Sequence, residues 1–164
     1  MTVTAPGVGE TVDAWFDQVS ALGRRDRASR SSGSTDATTS STTEAFATYV
    51  QITATLVSGR IYIARFSGVW YGTVVGDIAQ FNIRYAAGSS VSSSGTTLTG
   101  GRKELGVCVA NASMDLSLLG EMVAPSSAQY TFGVAIQRQS GSGTVGIRQS
   151  GSNYPIMILE CGAA

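Results

Sequence analysis

AFATYVQITATLVSGRIYIARFSGVWYGTVVGDIAQFNIRY, residues 45–85, contains three consecutive strand patterns separated by turn residues. From Ala79 to Tyr85 apolar and aromatic residues alternate with Gln, Asn and Arg, which is the two-residue period of a strand with one buried face and one solvent-facing side. Residues 60–66 are rich in β-branched and aromatic side chains, as in a strand covered more nearly on both faces. We therefore predict an antiparallel core of long strands.

Further strand patterns follow this stretch. Residues 86–103 are rich in Ser, Gly and Thr and predict an exposed loop or weak hairpin, whereas residues 104–111 and 114–123 predict a pair of strands. Alternation returns at 130–137, and a tight-turn signal and a final apolar run at 155–161 come after it. About eight short-spaced strands predict an all-β domain over 45–164, an antiparallel, jelly-roll-like β-sandwich.

One helix is predicted, over residues 11–22, within an N-terminal arm formed by residues 1–30. Thr11 can cap its start and Gly23 can end it. The residues of its single apolar stripe are Val12, Trp15, Phe16, Val19 and Leu22. A lone helix of about a dozen residues is marginal in water, so we expect the stripe to dock on another surface.

The arm is followed by a predicted flexible linker, residues 31–44. Eleven of the fifteen residues from Ser29 to Thr43 are Ser or Thr, and a segment without large apolar side chains has little to offset its ordering entropy. Such a linker would let the helix reach a neighbouring subunit or another protein.

Composition narrows the classes of function. The chain has 164 residues, equal numbers of basic and acidic residues and only 13% charged residues, so we expect the domain to bind neither nucleic acid nor a membrane surface through charge. It has no apolar run of transmembrane length, and its start lacks the pattern of a secretory signal. We expect a soluble protein made in the cytoplasm.

The sequence gives little support for catalysis, a metal or a cofactor. It contains no histidine, the usual general base and metal ligand. Cys108 and Cys161 lie in apolar runs and are expected to be reduced and buried. Glu104 and Glu121 could meet across strands as a catalytic pair, although solvated strand-end charges are the favoured interpretation. Residues 141–146 match G-x-G-x-x-G, but the flanking strands favour a hairpin over a dinucleotide site. We expect a protein that is not an enzyme.

Two groups of residues are candidates for binding a partner. The helix stripe and a basic cluster behind it could contact a protein, with a solvated helix exit as the alternative; the cluster consists of Arg24, Arg25, Arg27 and Arg30. Trp70 and Tyr71 could stack on a glycan, or could simply pack at one end of the sandwich.

Several short motifs carry a resemblance over residues 47–162. They are Gly59-Arg60 with Tyr62, Gly76-Asp77 with Ile83-Arg84-Tyr85, the Gly141–Val145 hairpin and the closing Pro155–Gly162 strand. In this order the chain resembles small β-sandwich structural proteins encoded by tailed phages of actinobacteria. It departs from their pattern at Cys161, where an acidic residue is usual.

The resemblance implies a virion component that forms a homotrimer and either decorates the capsid or lies on the tail, with the capsid favoured, and that is synthesised in the cytoplasm of the host. The implied partners are further copies of the chain and a major capsid protein or tail protein, with the virion surface as the location. A minor tail or fibre protein and a glycan-binding module for host attachment are the alternatives.

Overall fold

The computed structural model describes residues 27–30, 35–149 and 155–161, which form ten β-strands and no helix. Every strand pair is antiparallel. The strands are β1 (Arg27–Arg30), β2 (Ala37–Thr39), β3 (Ala45–Thr55), β4 (Ile61–Gly72), β5 (Ile78–Ala87), β6 (Thr96–Gly106), β7 (Met114–Val123), β8 (Gln129–Ser140), β9 (Val145–Arg148) and β10 (Ile156–Cys161).

The strand order is that of a jelly roll. Eight strands follow one another in hydrogen-bonded order β1-β10-β4-β7-β6-β5-β8-β3, and the path folds over between β7 and β6, which are joined through Thr99 and Glu121. We call β1-β10-β4-β7 the first sheet and β6-β5-β8-β3 the second sheet. Because the chain crosses repeatedly from one sheet to the other, the two sheets wrap around one core. The predicted jelly-roll-like sandwich is confirmed.

Two lines of the first sheet are each built from two short strands. β9 pairs with β4 at 69–72 and β10 pairs with β4 at 62–67, so β9 and β10 together line one edge of β4. β1 pairs with β10 and β2 pairs with β9 in the same way. Next to β4, the sheet therefore continues as β9 and β10 placed end to end. Beyond them it continues as β2 and β1, also placed end to end.

The core lies between the two sheets. The Trp70 ring on β4 meets the Phe81 ring on β5 edge to face, with the ring centroids 5.3 Å apart, a favoured geometry for aromatic pairs. Both side chains are buried, as are Phe66 on the first sheet and Phe132 on the second. All the buried apolar residues of the described chain lie between Ala37 and Cys161.

The outward side of β5 is buried rather than solvent-facing. Gln80 and Asn82 are 6% and 1% exposed, because residues preceding β3 cover this part of the second sheet. The Asn82 amide donates to Glu44 at 2.7 Å. The alternation of apolar and polar residues predicted this strand and its inward side correctly. It could not show that residues before β3 would cover the outward side.

Other differences concern short or Gly-rich elements. The Ser/Gly/Thr stretch contains most of β6. This strand ends at Gly106, so the strand predicted over 104–111 is wrong for most of its length. Within the predicted linker, residues 37–39 form β2, stabilised by pairing with β9. The predicted helix over 11–22 lies outside the described residues, as does most of the arm.

Candidate functional surface

The outer face of the first sheet is unusually apolar for a surface. Along β7, Leu116, Leu118 and Met122 point inward and are buried. Leu119 and Val123 lie at alternate, outward positions and are 47% and 59% exposed. Because neighbouring strands in register place outward residues side by side, these apolar side chains share one face.

The same face continues across β4 and β10. Ile61, opposite Val123, is 42% exposed, and Ile63 lies two residues further along the strand. Ile156 and Ile158 on β10 are half-buried and lie opposite Ser67 and Arg65. A groove of about 450 Å³ runs across the three strands. The outward side chains that line it are Arg65, Ser67, Ser117, Leu119, Ile156 and Ile158.

The charge at the centre of this face is neutralised within the subunit. The Arg65 Nε donates to Glu160 Oε2 at 2.9 Å, and the two side chains are 49% and 35% exposed. An exposed pair of this kind adds little stability. Its effect is to leave the groove without a net charge from these two residues.

A polar cluster closes one end of the face. The Arg148 guanidinium lies 4.4 Å from the Tyr71 ring centroid, donates to the Asn111 carbonyl at 3.2 Å and forms an ion pair with Asp36 at 3.8 Å. Asp36 also accepts the Gln149 backbone N–H at 2.9 Å. These contacts fix β2, β4 and β9 together.

The environment shifts the Tyr71 titration. Burial raises the pKa of the Tyr71 hydroxyl above its usual 10.0, and the negative charge of Asp36 raises it further, while Arg148 acts in the opposite direction. The folded protein therefore favours the neutral phenol.

A second polar cluster joins two segments that are far apart in the sequence. The buried Asp77 carboxylate accepts the N–H of Ser142 at 3.0 Å and of Gly143 at 2.7 Å. Arg138 donates to the Gly143 carbonyl at 2.5 Å, and Thr73 accepts the Thr144 N–H at 2.8 Å. The G-x-G-x-x-G match is thus a hairpin turn fastened to the β4–β5 connection, with strands on both sides.

The described residues contain no group of three or more Cys, Asp or Glu side chains arranged to hold a metal. Glu104 forms an ion pair with Arg102 at 2.5 Å, and Glu121 lies opposite Thr99 and Ile63. Both carboxylates belong to exposed strand positions.

The cysteines differ from each other. Cys161 is buried at the end of β10, as expected, but Cys108 is exposed, so its predicted burial is wrong. The reason is that β6 ends at Gly106 and Cys108 belongs to the following turn. Neither cysteine forms a disulfide.

The two predicted glycan-binding aromatics have different surroundings. Trp70 is 1% exposed and belongs to the core, so its ring has no face open to a sugar. Tyr71 is half-buried, beneath Arg148 and against Gly146, where a β-carbon would lie 2.7 Å from the Tyr71 ring. Trp70 therefore packs inside the sandwich, which was the alternative to glycan binding.

The predicted arm residues are mostly beyond description. Arg27 and Arg30 begin and end β1, whose backbone pairs with β10. The other predicted residues of the arm lie outside the described residues. They are Val12, Trp15, Phe16, Val19, Leu22, Arg24 and Arg25.

Sequence reasoning missed the outer apolar face and the role of Asp77. A signal for the first exists in β7, because Leu119 and Val123 place apolar side chains at positions that the alternation assigns to the polar side. Asp77 belongs to one of the motifs behind the resemblance, but the sequence could not show its contact, since its partners are backbone N–H groups more than sixty residues away.

No helix among the described residues is long and apolar enough to cross a membrane.

Comparison with known proteins gives structural likeness only. No protein-family model and no curated protein sequence matches the chain. Among solved structures, the chain is similar to Eiger TNF from S. frugiperda, with 9% identity, a TM-score of 0.44 and coverage of 85% of this chain and 94% of that one.

Two larger proteins are also similar. The insecticidal delta-endotoxin Cry8Ea1 from Bacillus thuringiensis has 12% identity and a TM-score of 0.43 over 78% of this chain. VP2 of infectious bursal disease virus, in a subviral particle, has 9% identity and a TM-score of 0.42 over 86% of this chain. The chain spans only 20% and 38% of their respective lengths. These similarities concern the β-sandwich architecture alone and assign no function.

Proposed function

We propose that this chain is a non-enzymatic structural protein of a phage virion. In this proposal it is a capsid decoration protein that assembles as a homotrimer on the particle surface and attaches to the major capsid protein through its N-terminal arm. The observation that carries the proposal is the apolar outer face of the first sheet, where Leu119 and Val123 are 47% and 59% exposed. A surface of this kind is characteristic of proteins that bind other proteins.

The motifs behind the phage resemblance support the proposal in a physical way. Gly76-Asp77 and the Gly141–Val145 hairpin are separate in the sequence, yet the Asp77 carboxylate binds the hairpin backbone directly. The two motifs are therefore in direct contact and belong to one structural unit. Their joint occurrence is more specific than either short motif alone.

The described part of the chain is compatible with attachment through the arm. Its buried apolar residues run from Ala37 to Cys161, and β1 begins at Arg27 on one edge of the first sheet. In our proposal the apolar stripe of residues 11–22, with the Arg24 and Arg25 charges behind it, contacts the capsid partner.

Attachment is tested by removing residues 1–26 and measuring co-sedimentation with capsids assembled from the major capsid protein encoded by the same phage. We expect the full chain to sediment with the capsids and the shortened chain to remain in the supernatant, while both give the same β-sheet circular dichroism spectrum. Capsid binding that is unchanged after removal would refute the role of the arm.

A finer variant separates the apolar stripe from the rest of the arm. Replacing Trp15 and Phe16 together with Ala should weaken capsid binding at least tenfold, because both residues belong to the stripe. The matched control is Val3→Ala with Val8→Ala, which shortens two apolar side chains of the same arm outside the stripe. Equal losses in both variants would contradict a specific role for the stripe.

A further inference from the structure

We propose that the outer face of β10, β4 and β7 is the surface through which copies of this chain bind one another. The inference deepens the proposed function, on whose self-assembly it rests, by naming the interface. Its occupant is a second copy of the same chain, with Leu119 and Val123 of β7 and Ile61 of β4 at the contact.

Several apolar side chains of the described residues share this face. Three of the eight large apolar residues that are more than a third exposed, Ile61, Leu119 and Val123, belong to it, and Ile63, Ile156 and Ile158 extend it as half-buried neighbours. The other five lie in the connections between strands or, in the case of Ile78, at the start of β5. Burying a continuous apolar face is the main driving force of stable association.

The second sheet offers no comparable surface among the described residues. On its outward side Gln80, Asn82 and Thr131 are buried, and the β5–β6 connection also covers it, since Val91 packs where a β-carbon at Gly133 would lie. One side of the sandwich is thus covered by its own chain. Among residues 27–30, 35–149 and 155–161, none covers the first sheet in this way.

The open face supplies most of the area that a subunit contact needs. β4 has 12 residues, so with strands spaced about 4.8 Å apart and a rise of about 3.3 Å per residue, the three strand lines of the proposed contact cover about 570 Å². A specific interface buries about 800 Å² on each partner, and smaller interfaces belong to weaker complexes. The face therefore reaches roughly 70% of the standard area.

The charge pattern fits a partner that carries the same surface. In a trimer, one part of this face meets a different part of the neighbour's face, and unbalanced charge at its centre would still bring like charges close together. Here Arg65 and Glu160 neutralise each other at 2.9 Å, and Arg148 and Asp36 do so at the end of the face. Asp115 and Glu121 add negative charge only along β7, the strand that borders the second sheet.

The test is sedimentation velocity of the full chain and of variants that place a charge on the face. Val123→Arg is the test variant and Val109→Arg is its matched control, because both valines are 59% exposed and Val109 lies in the β6–β7 connection, off the face. Leu119→Arg is a second test variant nearer the groove. Circular dichroism and the thermal midpoint check that each variant is folded.

We expect an oligomer for the wild type and for Val109→Arg, and at least a tenfold weaker association for Val123→Arg and Leu119→Arg. A wild type that is monomeric at about 100 µM, well above the dissociation constants of stable complexes, would overturn the inference. So would test variants that associate as tightly as the control.

The arm of the same chain could cover this face instead of a second copy, and the same variants distinguish the two cases. If residues 1–26 covered the face, Leu119→Arg would speed hydrogen exchange in those residues and leave the oligomeric mass unchanged, which overturns the inference. Capsid binding is measured on the same variants. Dissociated variants that still bind capsids support the interface, while an intact oligomer that fails to bind capsids contradicts only the proposed function.

Discussion

The Asp77 carboxylate accepts the backbone N–H of Gly143 at 2.7 Å and so connects the β4–β5 connection to the β8–β9 turn. Asp77 is 2% exposed and also accepts the Ser142 N–H. Two backbone donors that a tight turn would leave without partners are thus satisfied inside the protein. The contact holds the start of β9, and with it one end of the first sheet, in place.

Replacing Asp77 with Ala should lower the free energy of unfolding by about 3 kcal/mol, because buried N–H groups lose a charged acceptor. Urea denaturation at neutral pH measures the change. The control is Asp115→Ala, at an exposed position on β7, for which we expect less than about 0.5 kcal/mol. Similar values for the two variants would contradict the role of Asp77.

Gly141 is required by the same contact. Its φ of +100° is unfavourable for other residues, and a β-carbon there would lie 1.9 Å from Asp77 Oδ1. Gly141→Ala should therefore destabilise the protein by about 2 kcal/mol or more. Gly106→Ala, where a β-carbon meets no atom within 4 Å, should change the thermal midpoint little. A Gly141→Ala protein with the wild-type midpoint would show that the turn is not constrained as described.

Glu44 and Arg84 form an ion pair on the second sheet that is more buried than the Arg102–Glu104 pair. The Arg84 guanidinium donates to both Glu44 oxygens, at 2.5 and 2.8 Å, and the side chains are 4% and 20% exposed for Glu44 and Arg84 respectively. Glu44→Ala should cost about 3 kcal/mol, because Arg84 and Asn82 lose their common acceptor. Glu104→Ala removes one partner of the exposed Arg102–Glu104 pair and should cost less than about 1 kcal/mol.

The comparison is made by chemical denaturation at neutral pH, with Glu44→Ala/Arg84→Ala completing a double-mutant cycle. A coupling energy near zero between Glu44 and Arg84 would mean that the covered side of β5 is stabilised by packing rather than by this pair.

Tyr71 should make the protein less stable in alkali. Since burial raises the pKa of its hydroxyl above 10.0 in the folded state, the associated stability is present below the pKa of the unfolded chain and is lost as the pH rises through the higher folded value. Tyr71→Phe should remove part of this loss. The difference in unfolding free energy between the two proteins should be constant from pH 7 to about 9 and shift in favour of the variant above about pH 10.

The raised pKa of Tyr62, also caused first by burial, will leave some alkaline loss in the Tyr71→Phe protein. A difference between the two proteins that stays constant up to about pH 11 would contradict the proposed protonation of Tyr71.

The parts of the fold that sequence predicts are those with strong local patterns. β4, β5 and β8 are long, and their inward residues follow the two-residue period or a dense β-branched run. β6 contains Gly100 and Gly101 among threonines, and its packing depends on close approach, since a β-carbon at Gly120 would lie 2.9 Å from Gly101 Cα. A pattern of side-chain polarity contains no information about such a backbone contact.

The candidate surface was less accessible to prediction for a related reason. β1 and β2 are four and three residues long and exist because β10 and β9 offer them partners, which is tertiary rather than local information. Asn82 is buried because residues before β3 pass over the second sheet. Leu119 is exposed because no described segment passes over its side of the first sheet. Residue type alone indicates the strands, and the topology decides which side of each sheet is open.

Arg27 lies opposite Leu159, so the described chain enters and leaves the sandwich at the same corner, on two neighbouring antiparallel strands. The hydrogen bonds between such strands run across the strand direction. A pulling force applied between the entry and exit points would load these bonds one at a time, as in unzipping, instead of shearing the whole ladder together. The mechanical weak point of the protein is therefore the β1–β10 seam, while β4 and β5 are protected in the interior of their sheets.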